Sequence, residues 1–162
     1  TAYPGLIVVR TLSKAYALAG LRVGFAVAAR PIVAAMEPFR PPGSVSTVSV
    51  TVATEALRDP DIVDRAVESV SGERDRLSAA LRAVGWSVGR SDTNFVLIPF
   101  DSPERAAAAA EGLLKRGLVP RTFSSSHPLA DHLRLTVRSR AEDDRLIAAA
   151  TELRDELEEG RR

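Results

Sequence analysis

Two unbroken apolar runs, Leu6-Ile7-Val8-Val9 and Val23 to Ala29, lie close together near the start of the chain and constrain its fold more than any other feature. Neither alternates with polar residues. Residues 6–10 and 23–29 are therefore expected to be strands buried on both faces, as in a parallel-type sheet. Only the connection 11–22 separates them, so whatever it carries sits at the ends of two strands.

That connection reads Thr11-Leu12-Ser13-Lys14-Ala15-Tyr16-Ala17-Leu18-Ala19-Gly20-Leu21-Arg22, and Gly24 follows it. It offers two hydroxyls, an amine and a guanidinium. An amine and a guanidinium held at strand ends suit a ligand that carries both an aldehyde and a phosphate. A lysine that attacks an aldehyde must be able to lose its proton, and burial near other cations lowers an amine pKa. A phosphate dianion needs fixed donors. Arginine supplies a bidentate fork, and Thr11 and Ser13 can add hydroxyls. The bland alternative is a surface lysine in a turn beside an ordinary strand-edge arginine.

Beyond Ala29 the punctuation marks out the rest. Pro31 opens a helical segment of one or two turns ending near Pro38, and Phe39 to Ser44 is a loop. A helix is expected from about Ser46 to Arg58. Asp59-Pro60 then places a cap residue before a proline at the first position of a long helix. Its apolar residues at 62, 63, 66, 67, 70, 77, 81 and 84 keep helical spacing up to a stop at Gly85. A helix of this length often joins two domains. After it come short units. Trp86-Ser87-Val88 and Asn94 to Ile98 read as strands around a polar turn, and Ser102-Pro103 starts a helix through Lys115-Arg116 with Gly117 as its stop. The alanine run 106–110 reads as a helix packed closely on a sheet. Leu118 to Phe123 and Leu133 to Val137 are two further strands. Ser139-Arg140-Ala141-Glu142 is a capping box, and Leu146, Ile147, Ala150, Leu153 and Leu157 line one face of the last helix.

Arg134 sits inside Leu133-Arg134-Leu135-Thr136-Val137, so one strand face holds a charge. A buried guanidinium needs an anion, either an internal carboxylate or a ligand. Arg121 lies in Val119-Pro120-Arg121-Thr122-Phe123. His127 precedes Pro128 in the Ser124-Ser125-Ser126 loop and His132 begins a strand, and solvent-exposed loop roles are expected for both. No residues have metal-ligand spacing, and no glycine-rich phosphate loop is present. Over 162 residues the net charge is +1, from 22 basic and 21 acidic residues, so no global field draws in nucleic acid or a membrane. The chain has no cysteine. That removes disulfides and thiolate metal sites and fits a reducing cytosol, and no apolar run approaches a membrane span. A soluble cytoplasmic protein is expected.

The run from Thr11 to Phe25 resembles the cofactor-lysine motif of pyridoxal-phosphate enzymes of the aminotransferase class I/II family, and within it the histidinol-phosphate branch. The resemblance implies that Lys14 carries pyridoxal 5'-phosphate and that Thr11, Ser13 and Arg22 hold its phosphate. It implies that Arg134 binds the substrate's α-carboxylate or, in the histidinol-phosphate branch, its phosphate, with Arg121 as a second phosphate contact. That branch commonly carries a glycine where this chain has Arg138, which bears on the substrate and leaves the reaction class alone. The implied fold is α/β. Residues 1–45 would be the end of the large cofactor-binding domain of fold type I, 46–85 connecting helices, and 86–162 a small C-terminal α/β sandwich. The resemblance is to the C-terminal part of the family, so this chain is expected to be a fragment, inactive alone, of a homodimeric enzyme. That enzyme would move an amino group from a donor such as histidinol phosphate to a 2-oxo acid. The alternatives are an aromatic amino-acid aminotransferase or a phospho-amino-acid decarboxylase of the same fold, or a truncated domain without catalysis.

Overall fold

The first two strands, β1 (Ile7–Thr11) and β2 (Gly24–Ala28), pair antiparallel, in a register that sets Ile7 against Ala28 and Thr11 against Gly24. The parallel-type sheet read from their composition is therefore corrected. Parallel neighbours need a crossover, usually a full helix, and the connection here holds only a 3-10 turn at Ala19–Leu21. Burial is corrected too: every β1 residue is exposed, and Val9 and Val27 are 73% and 56% accessible. The computed structural model describes residues 3–59 and 61–159. The chain divides into two compact units, Thr1–Val67 and Glu68–Arg162.

The first unit continues with α1 (Arg30–Met36), with Pro31 in its first turn, and a 3-10 turn at Glu37–Phe39. It then forms α2 (Thr47–Ala56), capped by the Ser46 hydroxyl, which accepts the Ser49 N–H at 3.1 Å. Asp59 accepts the Asp61 N–H at 3.0 Å ahead of α3 (Asp61–Ala83). Pro60, read as the first helical residue there, lies outside the described residues. The division between units falls inside α3.

The second unit owns a continuous core. Strands β3 (Phe95–Pro99) and β4 (His132–Thr136) pair antiparallel, with Leu97 opposite Arg134. Their alternation buries Val96, Ile98, Leu133 and Leu135 on one face, as a one-sided antiparallel sheet should. Those side chains join one cluster with Leu77 and Leu81 of α3, Ala106, Ala109, Ala110 and Leu113 of α4 (Pro103–Lys115), and Leu146, Ala150 and Leu153 of α5 (Arg140–Glu159). The alanine run is thus a close-packing face, as its composition implied. The carboxylate half of the capping box is present: Glu142 Oε2 accepts both the Ser139 N–H at 3.2 Å and the Ser139 hydroxyl at 2.6 Å.

Two expected strands are not strands. Trp86 to Val88 has no ladder: the Trp86 N–H donates back to Leu81 at the end of α3, and pairing reaches β3 only through Gly89 to Leu97. Leu118 to Phe123 reduces to a single bridge between Arg121 and Arg134. Leu118 is still tied to Leu113 of α4, and Pro120 has no N–H to extend the pairing.

Candidate active site

The β1–β2 connection is built around Leu12, which is 1% exposed. Its N–H donates to Val23 at 3.1 Å, one step beyond the last strand pair, and its carbonyl accepts the Leu18 N–H at 3.0 Å. The connection therefore folds back on itself over a buried leucine. Gly24 allows the strands to close: a Cβ there would lie 2.8 Å from the Arg10 carbonyl oxygen, inside any real contact. Leu12 was missed as a positioning residue. The signal was its place as the one large apolar residue between two hydroxyls.

Around this anchor stand the motif residues. Thr11 Oγ1 accepts the Ser13 N–H at 3.1 Å and donates to Ser13 Oγ at 2.8 Å, so the two hydroxyls form one cluster. Lys14 follows directly and is exposed rather than buried, its carbonyl accepting the Ala17 N–H at 2.9 Å. Arg22 closes the 3-10 turn in the left-handed region, with φ 54°, and its Nη1 donates to the Ala19 carbonyl at 3.1 Å. Ala17 is left-handed as well, with φ 55°. Non-glycine residues pay about 1–3 kcal/mol for sparsely populated backbone, and such strain gathers at ligand clamps. Among the described residues Arg22 has no carboxylate partner.

The second unit places its own arginines. Arg121 and Arg134 exchange both backbone hydrogen bonds, at 3.0 and 2.9 Å. They are thus directly opposed residues whose side chains leave the same face. Like charges so opposed repel, and among the described residues neither meets a carboxylate. The Arg134 guanidinium lies over the Phe95 ring, 5.0 Å from its centroid, and its Nε is buried without a hydrogen-bond partner. The internal salt bridge left open for Arg134 is absent among these residues. Phe95 escaped the sequence reading, although its place in strand 94–98 was visible. Both arginines line a cleft of about 620 Å³ with Arg138 and Arg145.

Arg138 is neutralised locally, its Nη2 meeting Glu142 Oε1 at 3.0 Å. His127 is exposed, stacked on Phe123 at 4.8 Å, with Nδ1 accepting the Leu129 N–H. His132 opens β4, as expected, but it is partly buried rather than exposed and contacts the Asp131 carboxylate. Strand pairing at Pro99 draws it in.

The family model for aminotransferase class I and II matches residues 1–149, and the chain belongs to that family. Histidinol-phosphate aminotransferase of Thermococcus gammatolerans is 36% identical over 151 residues, covering 93% of this chain and 41% of the relative. An aromatic amino acid aminotransferase of Streptomyces coelicolor is 39% identical over 154 residues, covering 95% of this chain and 41% of the relative. The solved histidinol-phosphate aminotransferase of Sinorhizobium meliloti, in complex with pyridoxal-5'-phosphate, superposes with a TM-score of 0.84 at 29% identity, over 95% of this chain and 42% of that one. The fold is therefore that of the pyridoxal-phosphate aminotransferases. This chain spans about two fifths of the length of these proteins.

Proposed function

We propose that the full-length protein is a pyridoxal-5'-phosphate-dependent aminotransferase, with Lys14 as the residue that carries the cofactor. The observation that carries this reading is the connection itself. It folds two hydroxyls, a lysine and a strained, carboxylate-free arginine around one buried leucine. This donor set fits a phosphorylated aldehyde. The Arg22 guanidinium offers a fork to a phosphate, the Thr11 and Ser13 hydroxyls offer further donors, and Lys14 Nζ is the attaching amine. When bound, the cofactor supplies an electron sink for charge developing at the substrate's α-carbon.

Lys14 Nζ would then move the proton at that α-carbon. Arg134 and Arg121 hold the anionic end of the substrate, which relieves their mutual repulsion and gives the Arg134 Nε a partner. Histidinol phosphate fits two opposed guanidinia, and a 2-oxo acid is the acceptor. An aromatic amino acid as donor is the second reading, favoured by the similarity to the Streptomyces coelicolor relative.

In this reading residues 1–45 end the large domain, 46–85 connect, and 86–162 form the small domain. The working enzyme is a cytoplasmic homodimer, with the loop Pro41 to Thr47 approaching the partner's site. No helix among the described residues is long and apolar enough to cross a membrane.

Loading the full-length protein with cofactor, reducing it with borohydride and mapping the labelled peptide tests the assignment. The label should fall on Lys14, and a label on another lysine overturns it. Release of carbon dioxide without a 2-oxo acid acceptor would point instead to a decarboxylase.

A further inference from the structure

Arg134 spends both of its backbone groups on one neighbour. Its N–H and its carbonyl go to Arg121, so its pairing with Leu97 across β3 is of the non-hydrogen-bonded kind, in which side chains approach most closely. Phe95 stands two residues before Leu97 and opposite Thr136, which places it diagonal to Arg134 on the same face of the sheet. An aromatic ring and a long side chain span that diagonal. The core side chains Val96, Ile98, Leu133 and Leu135 alternate with these residues and take the opposite face. One ring and two guanidinia therefore share the face that looks away from the core.

No opposite charge holds the Arg134 guanidinium. Among the described residues it meets no carboxylate, its Nε is buried without a hydrogen bond, and its directly opposed neighbour carries a like charge. The attraction available to it is the Phe95 ring, whose centroid lies 5.0 Å from the guanidinium carbon. A ring face is electron-rich, and arginine stacks on it while the N–H groups of its plane stay free for an anion.

The ring stands on a fixed backbone. The Phe95 carbonyl accepts the Ser91 hydroxyl at 2.6 Å and the Thr93 hydroxyl at 3.2 Å. The Asn94 carbonyl just before it accepts the Val137 N–H at 3.0 Å. The polar turn ahead of β3 thus anchors the residue that meets Arg134.

We infer that Phe95 is a positioning residue for the anionic end of the substrate, holding the Arg134 guanidinium against the repulsion of Arg121 so that its fork is in place before the substrate arrives. This role rests on the anion binding proposed above for Arg134 and Arg121. Without the ring the two guanidinia move apart, and the substrate must order Arg134 at a cost in rotamer entropy. With the ring, part of that ordering is complete in the free protein. Phe95 acts through Arg134, and its effect falls on binding.

Steady-state kinetics of the cofactor-loaded full-length protein test the role, using whichever of histidinol phosphate and phenylalanine serves as amino donor. Phe95→Leu keeps the apolar bulk and removes the electron-rich face. It should raise the donor's KM about two- to fivefold, the range of a partly exposed cation–π contact, with the change in KM rather than in kcat. Phe95→Tyr keeps the ring face and should restore the wild-type KM; a rise equal to that of Phe95→Leu overturns the role. Arg134→Gln separates this role from the anion binding on which it rests. With the cation gone, adding Phe95→Leu should change KM no further. If Arg134→Gln itself leaves KM unchanged, the anion binding fails and Phe95 has nothing to position. If Arg134→Gln raises KM while Phe95→Leu does not, or if Phe95→Leu acts equally in both backgrounds, the role of Phe95 alone is overturned. Should Phe95→Leu fail to fold, a trifluorinated phenylalanine at position 95 keeps the shape and withdraws charge from the ring face. KM should rise with it, and an unchanged KM overturns the inference.

Discussion

Arg134→Lys separates a substrate-binding arginine from a structural one. Arg134 makes no ion pair among the described residues, and its internal contacts are a face-on approach to Phe95 at 5.0 Å and the backbone bridge to Arg121. The bridge survives any substitution of the side chain. A cation over a partly exposed ring is worth about 0.5–1 kcal/mol, and lysine retains part of that. The stability change should therefore stay within about 1 kcal/mol. The anion contact is different. Lysine keeps the charge and loses the fork, for a loss of about 1.5–3 kcal/mol at a charge-assisted contact. At about 1.4 kcal/mol per factor of ten, that is a rise of roughly 10- to 150-fold in the KM for the amino donor. Steady-state kinetics with histidinol phosphate and with phenylalanine, alongside cofactor titration and thermal unfolding, reads every consequence. The expected pattern is a raised KM for the anionic donor, intact cofactor affinity and a nearly unchanged melting temperature. Unchanged substrate constants with a clearly lowered melting temperature would refute the reasoning and make Arg134 a packing residue.

Arg22→Lys should act on the cofactor instead, weakening its affinity about tenfold or more by loss of the fork while leaving relative substrate preference alone, as spectroscopic titration would show. Gly24→Ala places a Cβ 2.8 Å from the Arg10 carbonyl; it should disturb the β1–β2 closure and lower cofactor affinity, whereas Gly20→Ala, with open space at its Cβ, should do neither. Gly112→Ala would drive a Cβ into Leu153, and overpacking of about 1–3 kcal/mol outweighs the roughly 1 kcal/mol gained in helix propensity. Denaturant unfolding should show net destabilisation, and pairing it with Leu153→Ala should show favourable coupling between the two substitutions.

The second unit was legible wherever local chemistry decides structure. Ser102, Ser139, Gly85 and Gly117 mark helix ends by their own side chains or backbone freedom, and the spacing of Leu146, Ala150 and Leu153 points their face inward. Strand pairing was less legible because it is decided by a distant partner. Leu118 to Phe123 has strand composition, yet Pro120 and the tie to Leu113 leave it one bridge. The first unit shows the same limit from the other side. Its apolar runs identified the strands, while their direction followed from a connection that forms only a 3-10 turn in place of a crossover helix.

This contrast explains why one cluster of candidate residues could be read and the other could not. The strain at Arg22 must be held by its surroundings, and several of the groups that hold it lie between Arg10 and Gly24. Leu12 anchors the fold-back, Gly24 lets β2 close on Arg10, and the Ala19 carbonyl accepts the guanidinium of Arg22. A device built from consecutive residues leaves a contiguous signature, so its chemistry was visible as a motif. The opposition of Arg121 and Arg134 depends on a bridge between segments separated by an exposed serine-rich loop. Each arginine could be named from its own neighbours, but their shared face, and the repulsion an anion would relieve, exists only once the chain has folded.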